Sequence, residues 1–422
     1  MTIDASNLLR KMFAAAVDAA MPVTRVPAFL PKDLPPKITL VGAGKASAAM
    51  AKAVEDNFEG ELSGLVLTRY GHAVECDRIE IVEASHPVPD AAGMEGSKRI
   101  LQIAHGLGKD DLLLVLVSGG GSALLSLPVD GVSLGDKQKV NSELLRCGAA
   151  IDEMNCVRKH LSQIKGGRLA AAAYPAKVVS LLISDVPGDD PSVIASGPTV
   201  GDDTSLADAR EIVERYKLDL PASVMDALAD ENNETPMNDD PQLSNSTFEM
   251  IATPQASLEA AAEVARGYGV APLILGDAIE GEAQEVGKVM AAIAAQVVAH
   301  EQPIPSPCVL ISGGETTVTV KGNGRGGRNV EFLLGLSQAL SGLDNVYALA
   351  ADTDGIDGRE EIAGAIVTPT TLQRAQDAGI PVSHALANND GHSFFEALGD
   401  QVITGPTLTN VNDFRAVYIA AS

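Results

Sequence analysis

The chain contains no tryptophan, and aromatic residues make up only 3% of its 422 positions. A stacking platform for single-stranded nucleic acid needs exposed aromatic rings, so that class of function is disfavoured. Positive charge is scarce as well: 31 Lys and Arg stand against 56 Asp and Glu, giving a net charge of −25. A phosphate backbone is repelled by most of such a surface, which argues against nucleic acid as a partner. A small anionic substrate remains allowed if a local basic site exists. Cysteine is rare. Cys76, Cys147, Cys156 and Cys308 form no C-x-x-C pair, which argues against a thiolate metal site or a disulfide framework. The thiols are expected to be reduced, and Cys308, at the start of an apolar strand, to be buried. No apolar run approaches the roughly 18 residues of a membrane span, and no basic segment followed by an apolar one opens the chain. No membrane association and a cytoplasmic location are expected.

What the sequence does hold is length, glycine and rhythm. Single cores rarely grow past roughly 250–300 residues, so two domains are expected. The 40 glycines cluster after apolar runs, the place of tight strand-to-helix turns. Apolar segments of strand length (38–41, 64–68, 79–83, 112–117, 178–184, 272–275, 309–312, 346–350, 402–404, 416–419) alternate with helical stretches such as 8–20, 92–107, 257–268 and 282–300. Strand, glycine turn and helix in repetition predict an α/β fold of βαβ units with a mainly parallel sheet. Residues 226–246, rich in Asn, Asp, Glu and Pro, read as a domain boundary or solvated linker, or equally as a surface loop. Val117-Ser118-Gly119-Gly120 and Ile311-Ser312-Gly313-Gly314 echo one another, which raises the idea of two similar α/β domains.

Several segments carry candidate chemistry. Gly42-Ala43-Gly44-Lys45-Ala46-Ser47 follows a strand and opens a helix, as dinucleotide turns do. It is not a P-loop, because Ala46 stands where Ser or Thr is required. The acidic residue expected after the second strand is absent; Arg69 follows Thr68 there, which suits an NADP-type site. The alternative is a tight turn without a ligand. Lys45 favours function, since a cation at a helix N-terminus opposes the dipole unless an anion is near. Ser118, Gly119, Gly120, Gly121 and Ser122 form a second turn whose N–H groups can converge on phosphate. Residues 155–168 place Arg158, Lys159, Lys165 and Arg168 within eleven positions, either a basic site for an anion or a solvated helix face.

Asp185-Val186-Pro187-Gly188-Asp189-Asp190 ends another strand, and a carboxylate centred on Asp189 is placed to hold Mg²⁺ or accept a hydroxyl proton, if the segment is more than a turn. Gly322-Asn323-Gly324-Arg325-Gly326-Gly327-Arg328 isolates two arginines between glycines. Guanidinium forks bind phosphate or carboxylate in two-point fashion, and a flexible hairpin tip is the weaker alternative. Asp352-Thr353-Asp354-Gly355-Ile356-Asp357 offers carboxylates for a cation, with Asp354 as ligand, or an Asx-turn pair. It is not an EF-hand, since Ala363 occupies the twelfth position. His86, in Ser85-His86-Pro87, is a candidate for orienting substrate; His392 reads as structural.

Taken together, residues 41–46, 85–90, 118–123, 155–167, 185–197, 324–331 and 352–358 resemble the type 2 glycerate kinase family, whose C-terminal part is the MOFRL domain. The motifs span nearly the whole chain in the expected order. The resemblance implies ATP-dependent, Mg²⁺-requiring phosphorylation of D-glycerate to 2-phosphoglycerate. It implies a Rossmann-like N-terminal domain over 1–237 and a C-terminal α/β domain over 246–422 containing the MOFRL region (about 305–418), with the active site in the interdomain cleft. Lys45 and Arg325 match positions expected to handle phosphates, with Ser85, His86 and Arg328 toward the acid. Related sequences also carry the label hydroxypyruvate reductase, so an NAD(P)H-dependent reductase is the alternative. Oligomeric state stays open, a homodimer included.

Overall fold

The structure, a computed structural model, describes residues 3–421. The residues gather into two compact units, 22–251 and 1–21 with 252–422.

The unit 22–251 is built on six strands: β1 Lys37–Ala43, β2 Glu61–Arg69, β3 Ile79–Ala84, β4 Leu112–Val117, β5 Lys177–Ile183 and β6 Ser246–Ala252. Their order is β3-β2-β1-β4-β5-β6, that of a doubly wound sheet. The pairs β2–β3, β1–β2, β1–β4 and β4–β5 are all parallel. Every residue of β4 is buried, because helices cover both faces of such a sheet, and this is why the strand reads as a continuous apolar run. The chain winds outward from β1 through β3, then returns to the other side of β1 as β4. The turns after β1 and β4 therefore flank the point where winding direction reverses, and ligands of doubly wound sheets bind at such a point.

The edge strand β6 makes residues 226–246 part of this unit and not a linker. They fold as the helix Ala222–Ala229 and the short 3₁₀ turns Glu231–Asn233 and Pro241–Leu243. Asp230 and Asp240 cap those turns by accepting N–H from Asn232 and Gln242 at 3.0 and 2.8 Å. The Glu234 carboxylate accepts the Leu206 N–H at 3.0 Å and lies 3.0 Å from His160 Nε2. The polar residues that suggested solvation are closing turns.

The second unit holds β7 Ala271–Gly276, β8 Gly281–Glu282, β9 Cys308–Ser312, β10 Thr316–Thr317, β11 Val346–Asp352, β12 Gly364–Val367, β13 Gln401–Val402 and β14 Asp413–Ile419. Its main sheet runs β13-β12-β11-β14-β9-β7. Only β7–β9 is parallel; β9–β14, β14–β11, β11–β12 and β12–β13 are antiparallel. The echo of the Ser-Gly-Gly turns is thus local. Strand β4 runs into the short helix Gly121–Leu124, whereas β9 runs through Gly313 and Gly314 to the two-residue strand β10. Along β9, Cys308 and Leu310 face one core and Val309 and Ile311 the other, the period-two pattern of a strand covered on both sides.

The helix Ala5–Asp18 belongs to this second unit. Its N-terminus is capped by Asp4, which accepts the Asn7 N–H at 3.1 Å. Leu8, Leu9 and Met12 are fully buried with the helix Pro254–Gly267, and Phe13 packs on Phe414 with ring centroids 5.8 Å apart. Each such side chain contributes about 1.5–3 kcal/mol on burial. The expected split at 1–237 and 246–422 therefore changes at both boundaries: the first helix moves to the second unit, and the join falls at 251/252.

Candidate active site

At the switch point the two glycine turns are stitched together. Lys45 N–H donates to Gly119 O at 2.8 Å and Ser118 N–H to Ala43 O at 3.2 Å. The Ser118 hydroxyl is fully buried and accepts the Ala46 N–H at 3.0 Å. Gly44 has φ +145°, and a Cβ there would lie 2.1 Å from Ser118 Oγ, so only glycine allows this approach. Thr68 Oγ1, at the end of β2, donates to Gly44 O at 3.2 Å. Gly120 has φ +79°, and a Cβ on it would stand 3.0 Å from the His86 ring and 3.4 Å from Lys45 Cγ. Among the described residues, the N–H groups of Gly119, Gly120 and Ser122 make no main-chain hydrogen bond. Lys45, His86 and this turn are thereby brought together, and the Ser118 hydroxyl faces inward.

The surroundings are basic. Burial, then Lys45, Arg69 and His72, push the His86 pKa down to about 4. His72 is lowered chiefly by burial and next by Arg69; its Nδ1 sits 3.3 Å from Lys45 O. Both rings are neutral near pH 7. Ser85 and His86 enter a loop fixed by Asp90, which accepts the Gly93 N–H at 3.0 Å and the Tyr70 hydroxyl at 2.9 Å. A His pKa below its unfolded value makes the folded state lose stability as pH falls from about 6.5 toward 4. Urea unfolding should show a loss of about 2 kcal/mol between pH 7 and pH 5 from this group, absent in His86→Gln; equal slopes for both proteins would contradict a neutral, half-buried His86.

Residues 155–168 are not a solvated face. Lys159 pairs with buried Asp202 at 3.1 Å, and Arg168 Nη2 donates to Asn233 O at 2.6 Å. Arg158 Nε donates to Asn141 Oδ1 at 2.8 Å. Lys165 is buried, and its Nζ donates to both Ser122 O and Ser122 Oγ at 2.6 Å. Ser122 Oγ also lies 2.8 Å from Ser196 Oγ. The loop that carries Asp189 and Ser196 is strained: Asp189, Ala195 and Ser196 have φ of 55°, 51° and 62°, at a cost of about 1–3 kcal/mol each, a conformation that clusters at functional sites. Asp189 is half-buried.

In the second unit, the glycine–arginine segment packs on the Asp352–Gly358 turn. It is anchored: Lys321 N–H donates to Asn389 Oδ1 at 2.7 Å, Asn323 N–H to Asn388 Oδ1 at 3.1 Å and Arg325 N–H to Asp390 Oδ1 at 2.9 Å. Arg325 forks onto Glu360 at 3.1 and 2.9 Å and reaches Glu396 at 2.6 Å. Arg328 binds Asp413 at 2.9 Å, Asp352 at 2.6 Å and Glu315. Asp413 also holds the fully buried Arg415 at 2.6 Å. Asp354 Oδ1 accepts the Ile356 N–H at 2.8 Å, an Asx turn. Burial pushes Asp357 up to about 7 against the N–H bonds it accepts from Asn329 and Val330. His392 is buried with Nε2 3.0 Å from Asp357 O, as its structural reading implied.

Asp189 and Asp354, the expected Mg²⁺ ligands, lie in different units. Among the described residues no three His, Cys, Asp or Glu side chains stand together as a metal cage. A Mg²⁺ held by one or two carboxylates and by nucleotide phosphates does not require one, so half-buried Asp189 fits that ion and the Asx-turned Asp354 fits it less well. The sequence did not single out His72 or Ser196, which border the turns, nor the buried Lys137. Ser196 carries no local signal, but Lys137 does: it shares the helix face of Val140 and Leu144, where a cation is unexpected. No helix among the described residues is long and apolar enough to cross a membrane.

Residues 8–229 match the family described as domain of unknown function DUF4147, and residues 308–413 match the MOFRL family. The D-glycerate 2-kinase of Thermotoga maritima is 42% identical over 94% of this chain and 94% of its own. A solved glycerate kinase structure from Thermotoga maritima superposes with a TM-score of 0.89 at 41% identity, covering 98% of this chain and 99% of that one. A protein of Agrobacterium vitis with the provisional name hydroxypyruvate reductase is 53% identical over 99% of this chain and 95% of its own. With a DUF4147 region followed by a MOFRL region, and with relatives of this likeness along its whole length, the chain belongs to the type 2 glycerate kinase family.

Proposed function

We propose that the protein transfers the γ-phosphoryl group of ATP to the 2-hydroxyl of D-glycerate. The observation that carries this reading is the pair of stitched turns at the switch point, where the unbonded N–H groups of Gly119 and Gly120 stand beside Lys45. Such a nest binds phosphate oxygens, and family membership supplies glycerate as acceptor. The N–H groups of Gly119, Gly120 and Ser122 cradle the nucleotide phosphates. Lys45 and Arg325 neutralise charge on the transferred group, which in phosphoryl transfer is the larger part of the protein's task. Arg325 does so by exchanging its surface carboxylate partners for phosphate oxygen. Ser85 and His86 border the acceptor, His86 as a neutral imidazole. A carboxylate centred on Asp189 would either hold Mg²⁺, which would supply further neutralisation of the phosphates, or accept the hydroxyl proton of the acceptor. The cytoplasm, where ATP is available, is the compartment this reading implies.

The reductase reading draws on the same first turn, on Arg69 at the end of β2, and on the name of the Agrobacterium vitis relative. One preparation assayed with both substrate pairs separates the two. ADP release that requires both D-glycerate and Mg²⁺ is expected; NADPH oxidation by hydroxypyruvate without ADP release would overturn the kinase.

A further inference from the structure

Among the described residues, two buried lysines and a half-buried arginine of the unit 22–251 stand without a carboxylate partner. Lys137 sits on the buried face of the helix Leu134–Cys147. It is 4% exposed, and among the described residues its Nζ has no hydrogen-bond partner. One turn along the same helix, Asn141 receives the Arg158 guanidinium at 2.8 Å. Lys165, 1% exposed, reaches the Ser122 carbonyl and hydroxyl oxygens, both at 2.6 Å. Gln138, next to Lys137, donates to Pro89 O at 3.0 Å and so ties this helix to the loop that carries His86.

The charge of Arg158 bears on both lysines, and that of Lys137 on Lys165. Burial is the largest influence on each; Arg158 further lowers Lys137, to about 8, and Lys137 and Arg158 further lower Lys165, well below the usual range. Among the described residues none of the three has an ion-pair partner, while neighbouring Lys159 and Lys139 are paired with Asp202 and Asp219. Burying an unpaired ammonium costs free energy that a packed apolar residue of similar volume would not. A sequence that keeps two buried ammonium groups beside the half-buried Arg158 guanidinium gains from an anion that enters among them.

We propose that Lys137, Arg158 and Lys165 form the subsite that binds the carboxylate of the hydroxy-acid substrate, next to the phosphate-binding turn through Ser122. The inference rests on the kinase reading and adds the residues that select an acid over a neutral alcohol. Lys45 and the N–H groups of Gly119 and Gly120 already serve the nucleotide, which leaves the carboxylate as the anion without a partner. The 2-hydroxyl sits on the carbon bonded to that carboxylate, so anchoring the carboxylate beside the turn also restricts the position of the hydroxyl that reacts.

The test uses the full chain with Lys137→Met, which keeps the volume of the stem and removes the charge. The KM for D-glycerate should rise about 30-fold or more, the scale on which a buried charge pair acts, with the KM for ATP within about twofold of the parent. The parent should prefer D-glycerate to its neutral amide, glyceramide, and the variant should treat the two alike. The melting temperature should hold or rise, because an unpaired buried charge is gone. Arg158→Met carries the same test if the first variant does not fold. An unchanged KM for D-glycerate overturns the proposal, as does a rise confined to the KM for ATP. A parent protein without glycerate kinase activity defeats the functional reading instead. The subsite then stands or falls on whether D-glycerate, and not glyceramide, raises the melting temperature of the parent more than that of Lys137→Met.

Discussion

Replacing Lys45 by Met should lower kcat/KM for phosphoryl transfer about 10³-fold while leaving the protein folded. A preorganised group aimed at developing charge is worth about 10²–10³ in rate, and charges placed on a transferring phosphoryl reach further. A 10³-fold loss corresponds to about 4 kcal/mol of transition-state stabilisation. The fold should survive because the stem contact over Gly120 and the Lys45 N–H bond to Gly119 O are both kept by Met. A second readout separates charge from packing. Lys45 is the largest charged influence on His86 after burial, so the His86 pKa should move up in the variant, visible in its ring proton shifts on titration. A variant with near-parent turnover, or with His86 unmoved, would remove Lys45 from the mechanism.

Arg325→Ala should reduce turnover at least about 10²-fold, again with an unchanged circular dichroism spectrum. The Arg325 side chain is exposed and paired with Glu360 and Glu396 on the surface, and such pairs add little to stability because water screens them. The loop does not depend on the guanidinium for its shape: main-chain bonds to Asn388, Asn389 and Asp390 hold it. Full activity in Arg325→Ala would show that the fork onto two carboxylates is this arginine's whole role.

Much of the first unit was legible because its strands are buried on both faces. Strand β4 reads Leu-Leu-Leu-Val-Leu-Val, and the glycines that follow announce a turn with positive φ at Gly120. The pairing of that turn with Gly44 follows from strand order, which periodicity does not reveal. Three features went the other way. Residues 226–246 looked solvated because Asn and Asp favour both linkers and capped turns, and only the position of β6 in the sheet decides between them. The basic run at 155–168 looked like one patch, but it divides: Lys159 and Arg168 turn to Asp202 and Asn233, while Arg158 and Lys165 turn to Asn141 and Ser122. The helix Ala5–Asp18 is plainly amphipathic, yet its apolar face carries no record of which core it joins. The arginine segment was the reverse case: its glycines left a flexible hairpin tip as the weaker alternative, and side chains from 388–390, over sixty positions away, anchor it.

The claim of a D-glycerate 2-kinase is tested most directly by the phosphorus-31 spectrum of the product formed from D-glycerate, ATP and Mg²⁺. A phosphomonoester coupled to the single C2 proton, formed in step with ADP, is the predicted result. A phosphorus signal coupled to the two C3 protons, or no phosphoglycerate while hydroxypyruvate consumes NADPH, would contradict it.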